Sequence, residues 1–134
     1  MKTITVSTER REQMIDVTAQ VQRVVSDSGV TSGMVICFAA HTTAGVTINE
    51  NADPDVTRDI LHKLNKEIPQ AEGYRHGEGN SDAHIKSTLV GASETVLIED
   101  GRLVLGRWQG IYFCEFDGPR ERRMLVRVVP CADD

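Results

Sequence analysis

The sequence contains no apolar run that approaches the length of about 18 residues needed by a membrane-spanning helix. Its start, MKTITVSTERR, alternates polar and apolar side chains and lacks the apolar segment of a secretory signal peptide. These two absences lead us to expect no membrane partner and a cytoplasmic location.

Cysteine is scarce, with three residues in the chain, and no CxxC spacing occurs. An odd number without that spacing argues against a disulfide framework. Cys37 and Cys114 lie in apolar runs, so we expect both to be small core residues. The glycine-rich motifs GxGxxG and GxxxxGK[ST] are also absent, which excludes the usual nucleotide-binding loops.

Basic residues are outnumbered by acidic ones, and the formal net charge is −5. Nucleic-acid binders usually present a basic face, so we expect no nucleic-acid partner. The one local basic cluster could be a solvated face or an anion site; it comprises Arg120, Arg122, Arg123 and Arg127.

With 134 residues, the chain has the length of one domain, 1–134. Hydrophobic periodicity and turn residues predict about eight strands and three helices. The strands are expected at 2–8, 13–17, 33–40, 44–49, 94–99, 102–105, 109–117 and 122–129, and the helices at 18–28, 54–67 and 81–90. Thr18 is expected to be the N-cap of the first helix. Strands dominate the C-terminal half and hairpin turns such as Asp100-Gly101 are available, so we predict an α+β fold with mainly antiparallel sheets.

Three of the four histidines are candidates for chemistry. His41 follows a strand predicted to be buried on both faces, His76 lies in a glycine-rich loop, and His84 lies in the first turn of the short helix. If they converge, these imidazoles could hold a divalent metal or act as general acid and base. The alternative is three unrelated polar side chains. His62, within the long helix, is expected to be structural or solvated.

Polar residues at the start of the short helix could bind an anion, because free backbone N–H groups there favour negative charge. The candidates are Asn80, Ser81 and Asp82, with Lys86 one turn further on. A capped helix with a charged, exposed face is the alternative interpretation.

Glu115 lies within the continuous apolar run 111–116, where a carboxylate must be paired, bound to metal or shifted in pKa. Both a catalytic role and a buried salt bridge are open. Trp108-Gln109 precedes this run, and Arg120 follows it at a point suited to binding a phosphate.

Three long segments resemble the signatures of the YjbQ family, also called secondary thiamine-phosphate synthase. They are HTTAGVTINENADPDV (41–56), RHGEGNSDAHIKSTLVG (75–91) and LGRWQGIYFCEFDGPR (105–120). They occur in the family's order, and the resemblance covers nearly the whole chain. Arg107 departs from the pattern, since the family usually has a small hydroxyl residue there, and substrate preference could differ as a result.

The resemblance implies two packed antiparallel sheets with helices, a homotrimer, and a site near subunit boundaries that includes His41, His76 and His84. It implies a weak transferase activity that joins a hydroxymethylpyrimidine diphosphate to a thiazole phosphate and releases pyrophosphate. In that setting Glu115 could move a proton and Trp108 could stack on the pyrimidine. The remaining expected substrate or phosphate contacts are Thr42, Thr43, Asn80, Ser81, Asp82, Lys86, Gln109 and Arg120.

Two other functions remain open from the sequence. One is a metal-dependent hydrolase of small phosphorylated molecules that uses the same histidines, with zinc or magnesium as the cofactor. The other is a trimer that binds a small metabolite or a partner protein without turnover.

Overall fold

The computed structural model describes residues 1–132 and contains two antiparallel sheets and three helices. The five-stranded sheet has the order β1-β8-β3-β5-β6, and the three-stranded sheet has the order β2-β7-β4. The strands are β1 (Lys2–Ser7), β2 (Gln13–Asp16), β3 (Gly33–Ala39), β4 (Ala44–Glu50), β5 (Ser93–Glu99), β6 (Arg102–Leu103), β7 (Gln109–Glu115) and β8 (Glu121–Pro130). The helices are α1 (Thr18–Ser28), α2 (Pro54–Glu67) and α3 (Ser81–Val90).

The main core fills the space between the two sheets. Alternate residues of the central strands point into it, for example Val35 and Cys37 from β3 and Ile111 and Phe113 from β7. Helix α1 contributes the buried side chains of Val21 and Val25 to the same core. The two-residue period of each strand therefore decides which side chains meet between the layers.

A second, smaller core lies on the other face of the three-stranded sheet. It is built from Tyr112, Cys114 and Phe116 together with Ala83 of α3. Burial raises the pKa of the Cys114 thiol to about 12, so this cysteine is an inert core residue, as expected. Because β7 carries apolar side chains on both faces, it contributes to both cores.

Most predicted elements are confirmed, and three details are wrong. Thr18 is not the N-cap of α1: it is the first helical residue, and its backbone N–H and hydroxyl both donate to Asp16. Strand β3 is not covered on both faces, because Phe38 is 43% exposed on the outer side. Strand β6 ends at Leu103 and β7 at Glu115, each two residues early.

Candidate functional site

A cavity of about 400 Å³ lies where the glycine-rich loop meets the first turn of α3. Gly73 and Gly79 both take positive φ in this loop, a conformation that other residues rarely adopt. The loop thereby folds back onto the helix and places its side chains beside those of α3. We refer to this cavity as the histidine pocket; it is lined by Tyr74, Arg75, His76, Ser81, His84 and Ile85.

The two imidazoles of the histidine pocket are in contact. The ring centroids of His76 and His84 are 5.4 Å apart and the rings are perpendicular. Nε2 of His76 also lies 3.7 Å from a carboxylate oxygen of Glu78. The two imidazoles and the guanidinium of Arg75 line the same cavity, so nitrogen donors from three side chains lie together. Such a group can bind an anion or transfer a proton.

Asn80 precedes α3 and joins the pocket region to the turn after β7. Its side chain makes no capping hydrogen bond to α3; instead Nδ2 donates to Asp117 at 2.8 Å. Its Oδ1 is buried and accepts no hydrogen bond from any residue of the described range 1–132. An unpaired buried oxygen is uncommon in native proteins and often marks a functional position.

Lys86 and Asp82 were expected to contact substrate, but the structure places both inside the protein. The Lys86 ammonium is fully buried and donates to Asp82, Glu12 and Asn65, so its donors are already occupied. Both oxygens of Asp82 accept from Arg11 at 3.0 Å. This geometry is that of a buried ion network, and it leaves neither residue free to bind a phosphate in this chain.

The charges of this network are balanced between two elements, the β1–β2 loop with Arg11 and Glu12 and helix α3 with Asp82 and Lys86. Burial acts to raise the pKa of the Asp82 carboxyl, but hydrogen bonds from Arg11 and Lys86 outweigh it and hold that pKa below its usual value. Sequence reasoning did not identify Arg11 and Glu12, which lie in the loop between β1 and β2. The network fixes α3 against that loop and so positions the histidine pocket.

Glu115 is fully buried in an ion pair that connects the two sheets. It accepts from Nε and from a terminal nitrogen of Arg122, from the hydroxyl of Thr8 and from the backbone N–H of Asp117. All of its acceptor capacity is directed at the protein. The observed geometry is the salt-bridge alternative, with Arg122 of β8 as a partner that the sequence did not single out.

The turn after β7 packs tightly against this ion pair. A Cβ atom on Gly118 would collide with the Arg10 carbonyl and with Glu115, so glycine is required there by space. Arg120, expected to grip a phosphate, is half exposed and donates to the backbone oxygen and carboxylate of Asp117. Its partial exposure leaves it able to exchange this contact for a ligand.

His41 does not join the other two histidines within the chain. Its ring lies edge-on to Phe113, with centroids 6.5 Å apart, and its Nε2 accepts the backbone N–H of Arg123 at 2.9 Å. Burial, followed by the positive charges of Arg122 and Arg123, lowers its pKa. His41 therefore completes the hydrogen bonding of β8 beyond the end of β3.

Residues 1–132 contain no group of three His, Cys, Asp or Glu side chains arranged to hold a metal ion. The expected set of His41, His76 and His84 is thus not assembled by one chain. The pair in the histidine pocket supplies two imidazoles, whereas a catalytic zinc site usually has three protein ligands.

The other residues expected to contact substrate lie either on the surface or beside the Glu115–Arg122 ion pair. Thr43 is buried, and both its carbonyl and hydroxyl accept from Arg122, while Thr42 is exposed. The ring of Trp108 is 54% exposed, with the guanidinium of Arg107 5.1 Å above it. Gln109 accepts the backbone N–H of Gly106 and closes that turn.

The fold and pocket define a class: an α+β protein of two antiparallel sheets with an open, histidine-lined pocket at the start of its third helix. The model of the family described as UPF0047 protein YjbQ-like matches residues 2–131, and the chain belongs to this family.

Relatives of known sequence and structure agree with this membership. The UPF0047 protein YugU of Bacillus subtilis is 51% identical over 130 residues, covering 96% of this chain and 98% of the relative. A UPF0047 protein of Methanocaldococcus jannaschii is 50% identical over 92% of this chain and 90% of the relative. The crystal structure of an uncharacterised YjbQ/UPF0047 family protein from Clostridium acetobutylicum is 53% identical with a TM-score of 0.95, covering 96% of this chain and all of the other.

Proposed function

We propose that the protein is a transferase of the secondary thiamine-phosphate synthase type and that the histidine pocket is its site. The observation that carries the proposal is the contact between the His76 and His84 rings, beside Arg75 and the N-terminal turn of α3. Cationic groups and a helix start together favour a phosphorylated substrate. The volume of about 400 Å³ suits a small molecule.

The proposed reaction joins two heterocycles. The ring nitrogen of the thiazole phosphate forms a bond to the methylene carbon of the hydroxymethylpyrimidine diphosphate. The bond from that carbon to oxygen breaks, and its electron pair leaves with pyrophosphate. Because negative charge develops on the leaving group, preorganised cations near it would stabilise the transition state.

The pocket residues have distinct roles in this proposal. The Arg75 guanidinium and ring N–H groups of His76 and His84 would bind the leaving pyrophosphate. Tyr74, whose hydroxyl is fixed by donation to the Pro69 carbonyl, would offer its ring to a heterocycle in place of Trp108, which does not line this cavity. Glu115 would act as a positioning residue through its ion pair.

Pyrophosphate release from purified protein with both substrates tests the proposal. We expect His84→Ala and His76→Ala each to reduce turnover by about a hundredfold or more, which is typical for loss of a preorganised donor that stabilises charge in the transition state. His62→Ala is the matched control, because His62 is exposed on α2 and outside the pocket. If His84→Ala and His76→Ala kept the same turnover as the His62→Ala control, the histidine pocket would be rejected as the site.

A metal-dependent phosphohydrolase is the second candidate, favoured by the Glu78 carboxylate beside His76. The His76 and His84 imidazoles suit zinc better than magnesium, which prefers oxygen ligands, and a third protein ligand would have to come from a second copy of the chain. Metal analysis of the purified protein and phosphate release with and without chelator test it. Full hydrolysis in the presence of chelator would reject the metal, and tight metabolite binding without any conversion would favour a binding protein.

We also infer that the protein assembles as a homotrimer. The outer face of the five-stranded sheet exposes apolar side chains within the described residues 1–132, including Phe38 at 43% and Leu97 at 64% exposure. Apolar patches of this kind mark interaction surfaces. Sedimentation at micromolar concentration is expected to show a trimer that Phe38→Asp weakens. A monomer in the unmodified protein would contradict the inference.

A further inference from the structure

Helix α2 covers the smaller core without being buried in it. Its apolar stripe faces the three-stranded sheet, and Leu61 and Leu64 contact the cluster around Cys114 and Phe116. No residue of α2 is fully buried, in contrast to α1, which buries Val21 and Val25. An amphipathic helix normally buries its apolar stripe against the layer beneath it. The space under α2 is therefore incompletely filled.

A cavity of about 210 Å³ occupies this space. It shares no lining residue with the histidine pocket, so the two are separate. Apolar side chains from the sheet, α2 and α3 form most of the wall: Met14, Ile60, Leu64, Val90, Cys114 and Phe116. An empty cavity would cost stability, because the side chains that line it lose packing contacts.

The polar groups of the cavity lie on β4. Thr47 contributes a hydroxyl, and Asn49 contributes an amide whose oxygen already accepts the backbone N–H of Glu50 at 2.7 Å. The NH2 group of Asn49 and the Thr47 hydroxyl can therefore hydrogen-bond a ligand. No charged side chain among residues 1–132 lines the wall, so a charged ligand would lose its hydration without gaining a counterion there.

We propose that this cavity binds a small uncharged ring compound that carries one hydrogen-bonding substituent, of the size of phenol. An apolar cavity of about 150 Å³ accepts benzene. The additional volume here, together with Thr47 and Asn49 on one wall, suits a substituent on such a ring. The apolar remainder of the ring would contact Ile60, Leu64 and Phe116.

The first test uses the unmodified protein with three probes: phenol, toluene and benzoate. Methyl NMR spectra are expected to show saturable shifts with phenol, in the millimolar range or tighter, confined to Met14, Ile60, Leu64 and Val90. Toluene should bind more weakly because it lacks the hydroxyl, and benzoate should cause no such shifts because of its charge. Absence of phenol shifts at these methyl groups, or equal shifts with benzoate, would overturn the proposal.

Variants locate the site. Ile60→Phe fills the cavity from α2 and is expected to weaken phenol binding by at least about tenfold, or roughly 1.4 kcal/mol. Lys66→Ala, on the exposed side of the same helix, should leave binding unchanged. Phenol affinity that is unaltered in folded Ile60→Phe would reject the cavity. Should that variant not fold, Thr47→Val serves instead: it should weaken phenol but not toluene, and equal losses for both probes would contradict the polar contact.

Discussion

The side chains on the two sides of α3 differ sharply in burial, although they are only a few residues apart in the sequence. On one side Asp82 and Lys86 are fully buried in an ion network with Arg11, Glu12 and Asn65. On the other side Ser81 and His84 line an open cavity. Asp82 and Lys86 already have several charged or polar partners, so they cannot bind a ligand without losing these contacts. The imidazoles in the pocket have fewer partners and are accessible to a ligand.

The same contrast separates two glutamates, Glu115 and Glu78. Glu115 has four hydrogen-bond donors directed at it within the protein. Glu78 is exposed and lies beside His76 at 3.7 Å. A buried carboxylate whose acceptors are all filled, such as Glu115, stabilises the packing of the two sheets. An exposed carboxylate such as Glu78 can contact a substrate. Four substitutions test this division.

Glu115→Ala is expected to produce the largest loss of stability. It leaves Arg122 buried without its counterion, so the free energy of unfolding should fall by about 3–5 kcal/mol. Urea titration at fixed protein concentration measures this change. Glu99→Ala, which removes an exposed carboxylate on β5, is the control and should stay within about 0.5 kcal/mol. A loss for Glu115→Ala as small as the control's would mean that the ion pair contributes nothing to the framework.

Lys86→Met should have the next largest effect. It removes the ammonium that faces Asp82 and Glu12, but Arg11 remains to neutralise Asp82. We therefore expect a loss of about 2 kcal/mol in the same titration, in the range for a buried group that loses a charged partner. Lys66→Met, at an exposed position on α2, serves as the control. A stable Lys86→Met protein that fails to release pyrophosphate would instead place Lys86 in the chemistry.

His41 should make stability depend on pH. Its pKa in the folded chain is lowered, first by burial and then by Arg122 and Arg123, so unfolding takes up a proton between that pKa and the usual value of about 6.5. Stability should therefore fall as the pH drops through about 6.5 towards the folded pKa. Urea midpoints across this range measure the effect. His41→Gln keeps an acceptor for the Arg123 N–H without titrating, and an equally steep pH dependence in that variant would exclude His41 as its source.

His84→Ala should change stability least. The side chain is partly exposed and makes a ring contact with His76, so we expect a change within about 0.5 kcal/mol. The expected large loss of turnover would then come from the pocket and not from unfolding. A drop in stability as large as that of Lys86→Met would instead show that His84 stabilises the fold, and the two sides of α3 would then not differ in this respect.

Much of the fold could be predicted because its signals are local. Asp53 and Pro54 start α2, with the Asp53 carboxylate accepting the backbone N–H of Asp55 as a capping residue does. Asp100-Gly101 forms the predicted tight turn, with positive φ at both residues. The boundaries of α1 and α3 agree with the sequence because Gly29 and Gly91 end these helices.

The partner of Glu115 could also have been found from the sequence. Met124 and Val126 are inward-facing apolar residues of β8, and Arg122 has the same two-residue phase. An arginine at an inward position needs a buried anion, and Glu115 is the carboxylate in the apolar strand β7. By contrast, Arg11 and Glu12 lie in a polar loop whose sequence carries no sign of its contact with α3.

The positions of the helices and strands follow from short stretches of sequence, because capping, turn chemistry and hydrophobic period act over a few neighbouring residues. The residue types that are candidates for chemistry can be read in the same way. The tertiary structure decided which candidates are free, because the burial of a charge depends on partners far along the chain: Lys86 meets Glu12, and Glu115 meets Thr8. Because a buried charge loses its hydration, it must be paired within the protein. The fold therefore determines which charged residues are buried in such pairs and which remain accessible to a ligand.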